Sequence, residues 1–262
     1  MQDFTRYGPW CLITGASAGL GSCYARQLAA KHLHLVLVAR RGDRLEALAE
    51  ELRRDFGIEV RCLALDLLAP DALGQLQEET ADLEIGLVVN NAGFGFKGNF
   101  LDADPNKMQA MVRLNCEVPT LLSHAYLPSM AKRGKGGMIM LASAAGFQPT
   151  PYMSVYGATK GFDLLLGEAL AVEMRPHGVD ILTVNPGTTD TEFHAVSGGV
   201  ATFGTMATPE DVVAQSLRLL GNRMSFVHGF RNRFLVFLNR LAPRSFSARI
   251  SGKLIKGYTT EP

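Results

Sequence analysis

The sequence contains no uninterrupted apolar run approaching the ~18–20 residues a membrane-spanning helix requires. Met1 to Tyr7 is polar, and the first apolar run at Trp10 is not preceded by the basic stretch of a secretory leader. There is no bulk excess of charge either. Twenty-six Lys plus Arg stand against 25 Asp plus Glu, a formal net charge of +1, which points to neither a nucleic acid nor an acidic partner. The four cysteines (Cys11, Cys23, Cys62, Cys116) form no CxxC pair and sit in or beside apolar runs, as reduced structural thiols do. The six histidines show no ligand spacing, so no metal site is expected. These absences describe a soluble, cytoplasmic protein with at most peripheral membrane contact. No repeat or low-complexity linker divides the 262 residues, 47% of them hydrophobic, and one domain over 1–262 is expected.

What is present is alternation. Apolar runs at Trp10–Thr14, Leu33–Ala39, Val60–Leu65, Gly86–Val89, Met138–Ala142 and Val179–Val184 read as strands, with almost no polar alternation inside them. Segments of helical period separate them: Leu20 to Lys31, Asp43 (as cap) to Asp55, a helix from near Pro70, Pro105 to Lys132, and Val155 to Pro176. Six β-α repeats predict an α/β fold, a doubly wound parallel sheet of Rossmann-like type with helices on both faces.

The first strand runs into Thr14-Gly15-Ala16-Ser17-Ala18-Gly19-Leu20-Gly21, which opens a helix. Glycines there allow a sharp turn and let a pyrophosphate approach free N–H groups at a helix N-terminus. Tyr156 and Lys160 are four apart on a helix and project from one face. A phenol titrates near ~10, and a neighbouring ammonium favours its ionised form, which suits proton exchange with a substrate oxygen. Ser143, at a strand's carboxyl end, can donate a hydrogen bond to the same oxygen.

With Asn90-Asn91-Ala92-Gly93 after the fourth strand, Asn115 in the next helix and Pro186-Gly187 with Thr191 after the sixth, the sequence resembles the short-chain dehydrogenase/reductase family, non-extended branch, over about residues 10–195. The resemblance implies a nicotinamide site formed by Gly15, Ser17, Gly19, Leu20, Gly21, Asn91, Ala92, Gly93, Pro186, Gly187, Thr189 and Thr191, with Asp66 at the adenine ring. It also implies that Lys160 holds the nicotinamide ribose beside Tyr156, and that Asn115 anchors a water linking Lys160 to solvent. The other reading of Asn115 is a bond to a neighbouring loop. Thr189 departs from the branched aliphatic residue usual at that position, which acts mainly through its backbone.

Where an NAD-preferring site would carry an acid, the second strand ends in Arg40-Arg41. Arg40, with Arg41, can meet a 2′-phosphate through charge-assisted bonds, and Ser17 can add another, so NADP (NADPH) is the expected cofactor. Ala18 departs from the basic residue often found there in NADP-using relatives. A small, polar segment, about 188–208 and including Val196–Val200, reads as a substrate lid, with His194 inside it.

The tail, about 222–260, holds eight Lys or Arg between Asn222 and Thr260 and no acid. Phe230, Phe234, Phe237, Leu238 and Leu241 recur at helical spacing and predict one basic amphipathic helix ending before Pro243. It could wall a greasy pocket, meet acidic headgroups or an acyl carrier's phosphate, or pack on the domain or a second subunit. The resemblance implies a homodimer or homotetramer built on the long helices beginning near Pro105 and Val155. The expected activity is hydride transfer between NADP and a hydrophobic ketone, aldehyde or alcohol, such as a steroid or an acyl thioester. A non-catalytic cofactor-binding regulator and an NAD-preferring alcohol or hydroxysteroid dehydrogenase stand as alternatives. A regulator would be expected to lose Tyr156 or Lys160 first, and both are present.

Overall fold

The structure is a computed structural model that describes residues 4–193 and 206–256; His194 and Val196–Val200 lie outside the described residues. The strands are β1 (Trp10–Thr14), β2 (His34–Ala39), β3 (Val60–Ala64), β4 (Ile85–Asn90), β5 (Gly136–Leu141), β6 (Val179–Asn185) and β7 (Ser225–Val227). They form one parallel sheet in the order β3-β2-β1-β4-β5-β6-β7. The direction of winding reverses between β1 and β4, and the carboxyl ends of strands at such a reversal are where open α/β sheets bind ligands.

Successive residues along a strand enter opposite cores. Cys11, Ile13, Leu35 and Leu37 join one cluster with Leu28, Leu45, Leu52 and Leu217; Leu12, Val36 and Val38 join the other with Leu76, Leu122, Leu127 and Met130. Both faces are covered, which is why these strands read as unbroken apolar runs.

The helices are α1 (Gly19–Ala29), α2 (Gly42–Phe56), α3 (Ala72–Glu79), α4 (Pro105–Val112), α5 (Val118–Arg133), α6 (Ser154–Met174), α7 (Pro209–Leu219), α8 (Phe230–Leu241) and α9 (Arg244–Lys256). Several differ from the sequence expectation. Arg41 takes the cap position of α2, and Asp43 sits in its first turn. The helix expected from Pro105 to Lys132 is broken by a π-helical stretch at Arg113–Glu117, so α4 and α5 are distinct. A seventh strand follows the six predicted ones, and the basic tail contains two helices, since Pro243 ends α8 and the chain turns helical again at Arg244. All four cysteines are free. Burial pushes Cys23 and Cys116 up to about 11 and Cys62 to about 12, so they stay as thiols at neutral pH.

Candidate active site

A cleft of about 1310 Å³ opens at the carboxyl ends of the strands. Of the site residues expected from the sequence, all but Gly21 and Asn115 line it. At one end, the β1–α1 turn passes through Gly15 at φ +66°, a backbone conformation that L side chains rarely adopt. A Cβ on Gly21 would run into the Gly15 carbonyl, so Gly21 serves by lacking a side chain rather than by lining the cleft. Ala18 caps α1 without a side-chain oxygen, leaving the first-turn N–H groups for an anion.

The turn is braced from β4. Asn91 Nδ2 donates to the carbonyls of Thr14 (2.9 Å) and Gly15 (3.2 Å), while the amides of Asn91 and Ala92 donate to Thr14 Oγ1 at 3.0 Å each. Asp66 Oδ1 accepts from the Leu68 amide at 3.0 Å beside the cleft.

Arg40 and Arg41 both line this end. Arg41 carries the contacts, donating to Ser17 Oγ from Nε (3.2 Å) and Nη2 (3.1 Å) and to Glu192 Oε2 at 3.0 Å. Arg44 also pairs with Glu192, at 2.8 Å. The sequence reading missed Arg44 and Glu192; the signal available was three arginines within five positions, Arg40, Arg41 and Arg44, and nothing in the sequence pointed from them to Glu192.

The reacting end lies beyond β5. Tyr156 and Lys160 are buried in the first turns of α6, and Ser143, whose Oγ donates to the Pro186 carbonyl at 3.5 Å, lines the same cleft. Ser143 Oγ also accepts from the Ala145 amide at 3.1 Å, which fixes its rotamer. Lys160 lowers the phenol's pKa as expected, but the net shift is upward. Burial raises Tyr156 above the ordinary tyrosine value and outweighs the lowering by Lys160 and Ser143, with Asp163 raising it further. Asp163 was not singled out in the sequence, although it lies three residues from Lys160 on the same helical face.

Asn115, in the π-helical stretch, is fully buried. It accepts from the Phe94 amide (3.2 Å) and donates to the Phe94 carbonyl and to Thr159 Oγ1, both at 3.0 Å. Its side chain therefore ties the loop after β4 to α6. The Phe193 ring stands 5.4 Å from that of Tyr156. Thr189 forms a parallel bridge with Ala207, so the two stems flanking 194–205 are joined. Leu235, Leu238, Phe246, Ile250 and Leu254 from α8 and α9 give the far wall an apolar lining. The Asn239 amide of α8 donates to Gln148 Oε1 at 2.6 Å, anchoring that wall to the segment after β5.

A family model described as short chain dehydrogenase matches residues 9–198. A very-long-chain 3-oxoacyl-CoA reductase from Podospora anserina is 37% identical over 186 residues, 69% of this chain and 55% of its own, so the chain spans about half the length of that relative. A 7beta-hydroxysteroid dehydrogenase from Mediterraneibacter gnavus is 30% identical over 233 residues, 87% of this chain and 89% of that protein. A solved structure bearing on 7beta-hydroxysteroid dehydrogenase stereoselectivity superposes with a TM-score of 0.89 at 29% identity, over 96% of this chain and 100% of the other. A short-chain dehydrogenase from Sphingobium yanoikuyae in complex with NADPH superposes at 0.80 with 33% identity, over 89% and 94%.

Proposed function

The chain belongs to the short-chain dehydrogenase/reductase family, and on that premise we propose that it is an NADP-dependent oxidoreductase reducing a hydrophobic ketone or aldehyde to an alcohol, or running the reverse, with Tyr156 as general acid and base. The observation that carries this reading is the convergence of Ser143, Tyr156 and Lys160 in the same cleft as the glycine turn.

The residues present fit a dinucleotide. Gly15 and Gly21 let the turn close tightly on itself and on Asn91, which brings the uncapped start of α1 to the cleft where a pyrophosphate would bind. Arg40 and Arg41, with Ser17, supply positive charge and hydrogen bonds suited to a 2′-phosphate. Lys160 would hold the nicotinamide ribose. When bound, the cofactor supplies or accepts the hydride. Ser143 and Tyr156 donate hydrogen bonds to the substrate oxygen. In reduction Tyr156 gives up its proton there as the carbon receives hydride, and in oxidation it takes the proton back. Asn115 holds the loop and α6 in register around this centre.

The apolar lining from α8 and α9 favours a bulky, greasy substrate. The relatives' printed activities, on a hydroxysteroid and a 3-oxoacyl-CoA, support the steroid and acyl-thioester classes. Self-association through α5 and α6 is supported by Leu121, Phe162, Leu165 and Val172, which are exposed on those helices. Peripheral contact with acidic headgroups is supported by the exposed Phe230 and Leu241 on an acid-free, basic segment.

Tyr156→Phe tests the reading. The variant is expected to keep its NADPH dissociation constant while losing turnover by roughly 10²–10⁴-fold, the usual contribution of a positioned acid-base group. Near-normal turnover on a substrate of the unaltered protein would overturn it. A spectrophotometric screen of NADPH oxidation against ketones, aldehydes and acyl thioesters supplies that substrate.

A further inference from the structure

Lys160 has a partner that the tyrosine–lysine spacing does not require. Asp163, one turn along α6, places Oδ2 2.9 Å from Lys160 Nζ, and the two side chains are only 8% and 3% exposed. The ammonium gives a second bond, 2.6 Å long, to the Leu141 carbonyl of β5. One of its three N–H donors is left for the cleft that Lys160 lines. Asp163 Oδ1 is buried and has no hydrogen-bond partner among the described residues, so the carboxylate relies on Lys160 for its compensation.

We propose that Asp163 is a positioning residue that offsets the charge of Lys160 and so holds Tyr156 as a phenol, the proton-donating form, in the resting site at neutral pH. The inference rests on the reading of Tyr156 as the proton donor. Its physical basis is charge counting. An ammonium acting alone presents a full positive charge to the phenol and favours phenolate. An ammonium–carboxylate pair carries no net charge, whichever partner holds the shared proton, so Asp163 offsets part of the lowering that Lys160 exerts on the phenol. Burial, which disfavours phenolate, then acts on Tyr156 against a dipole rather than a charge. In reduction the phenol proton passes to the carbonyl oxygen while the carbon takes hydride from a reduced nicotinamide, and the phenolate regains a proton from solvent.

The shifts agree in direction. Burial raises the Asp163 carboxyl above the ordinary carboxylate range, although Lys160 opposes this. Burial lowers Lys160, but Asp163 and Tyr156 outweigh it and leave the ammonium above its ordinary value. From the π-helical stretch, Cys116 also faces the pair; burial and Asp163 push its thiol up to about 11, so it adds no charge at neutral pH.

The test is a phenolate absorbance titration of the protein without cofactor. The difference between the unaltered protein and Tyr156→Phe isolates Tyr156 from the other tyrosines, and circular dichroism at each pH restricts the reading to folded protein. The same difference is then taken in an Asp163→Asn background, which keeps the shape and removes the charge. Asp163→Asn is expected to lower the Tyr156 midpoint by about one pH unit or more. An unmoved midpoint overturns the inference. If Asp163→Asn does not fold, the unaltered protein decides: a midpoint at or above the usual ~10 supports the inference, and one in the neutral range overturns it. No turnover enters this measurement. Failure of the proposed activity would appear instead in the kinetics of Tyr156→Phe.

Discussion

Arg41 donates to both Ser17 and Glu192, while Arg40 lines the cleft beside it, so the proposed NADP preference rests on two neighbouring side chains. Arg40→Ala and Arg41→Ala are each expected to weaken NADPH binding and leave NADH nearly unchanged. A lost hydrogen bond to a charged group is worth ~1.5–3 kcal/mol, roughly a ten- to hundredfold change in dissociation constant. Fluorescence titration of both cofactors measures it, and equal constants in the unaltered protein would remove the basis for NADP preference. The placement of Tyr156, Lys160 and the glycine turn was legible because it depends on spacing along one element. Arg41's bonds to Ser17 and Glu192 were not, since they join positions 24 and 151 residues apart. Asp163 was within reach of spacing alone, but an acid beside a catalytic lysine looks like a solvated neighbour until both are found buried.

Five of the first six strands could be read because they are buried on both faces and carry apolar runs; β3, at the sheet edge with only Val60 buried, was legible from its apolar residues alone. β7 has three residues, all half-buried, too few for any period to emerge. α7 was not expected from the sequence, although its start carried a signal: Thr208 Oγ1 accepts from the Asp211 amide at 3.2 Å, with Pro209 opening the helix and Glu210 and Asp211 in the first turn. The break at Arg113–Glu117 was not recognised, since the stretch is a single turn with helix on both sides of it. α8 and α9 expose apolar side chains on an acid-free segment, whereas the face of α5 and α6 with Leu165 exposed is not part of it. One sedimentation experiment addresses both surfaces. In buffer the protein is expected at a multiple of the 28.4 kDa chain mass, and with anionic vesicles, but not neutral ones, it is expected to co-sediment. A monomer mass would count against self-association, and protein left in the supernatant would count against membrane contact.

For the whole molecule, the buried acids matter most at high pH. Burial raises Cys11, Cys23, Cys62, Cys116, Tyr24, Tyr126 and Tyr156 above their ordinary values. Each releases its proton more readily when unfolded, so the unfolded state binds fewer protons and stability falls as pH rises. The contribution is complete below the unfolded values, ~8.5 for thiols and ~10 for phenols. It is lost as pH climbs through the folded values, about 11 for Cys23 and Cys116 and about 12 for Cys62. The melting temperature is therefore expected to hold near neutrality and drop steadily between about pH 9 and 11; a flat profile by differential scanning calorimetry would contradict this. The order of strands across the sheet has a separate consequence for the newborn chain. β4, β5, β6 and β7 each join the outer edge of what precedes them, and α8 and α9 come last. A ribosome delivering the protein N-terminus first thus releases the dinucleotide cradle well before the apolar wall, and each molecule passes through a stage that has somewhere to put a nucleotide but nowhere to put a substrate.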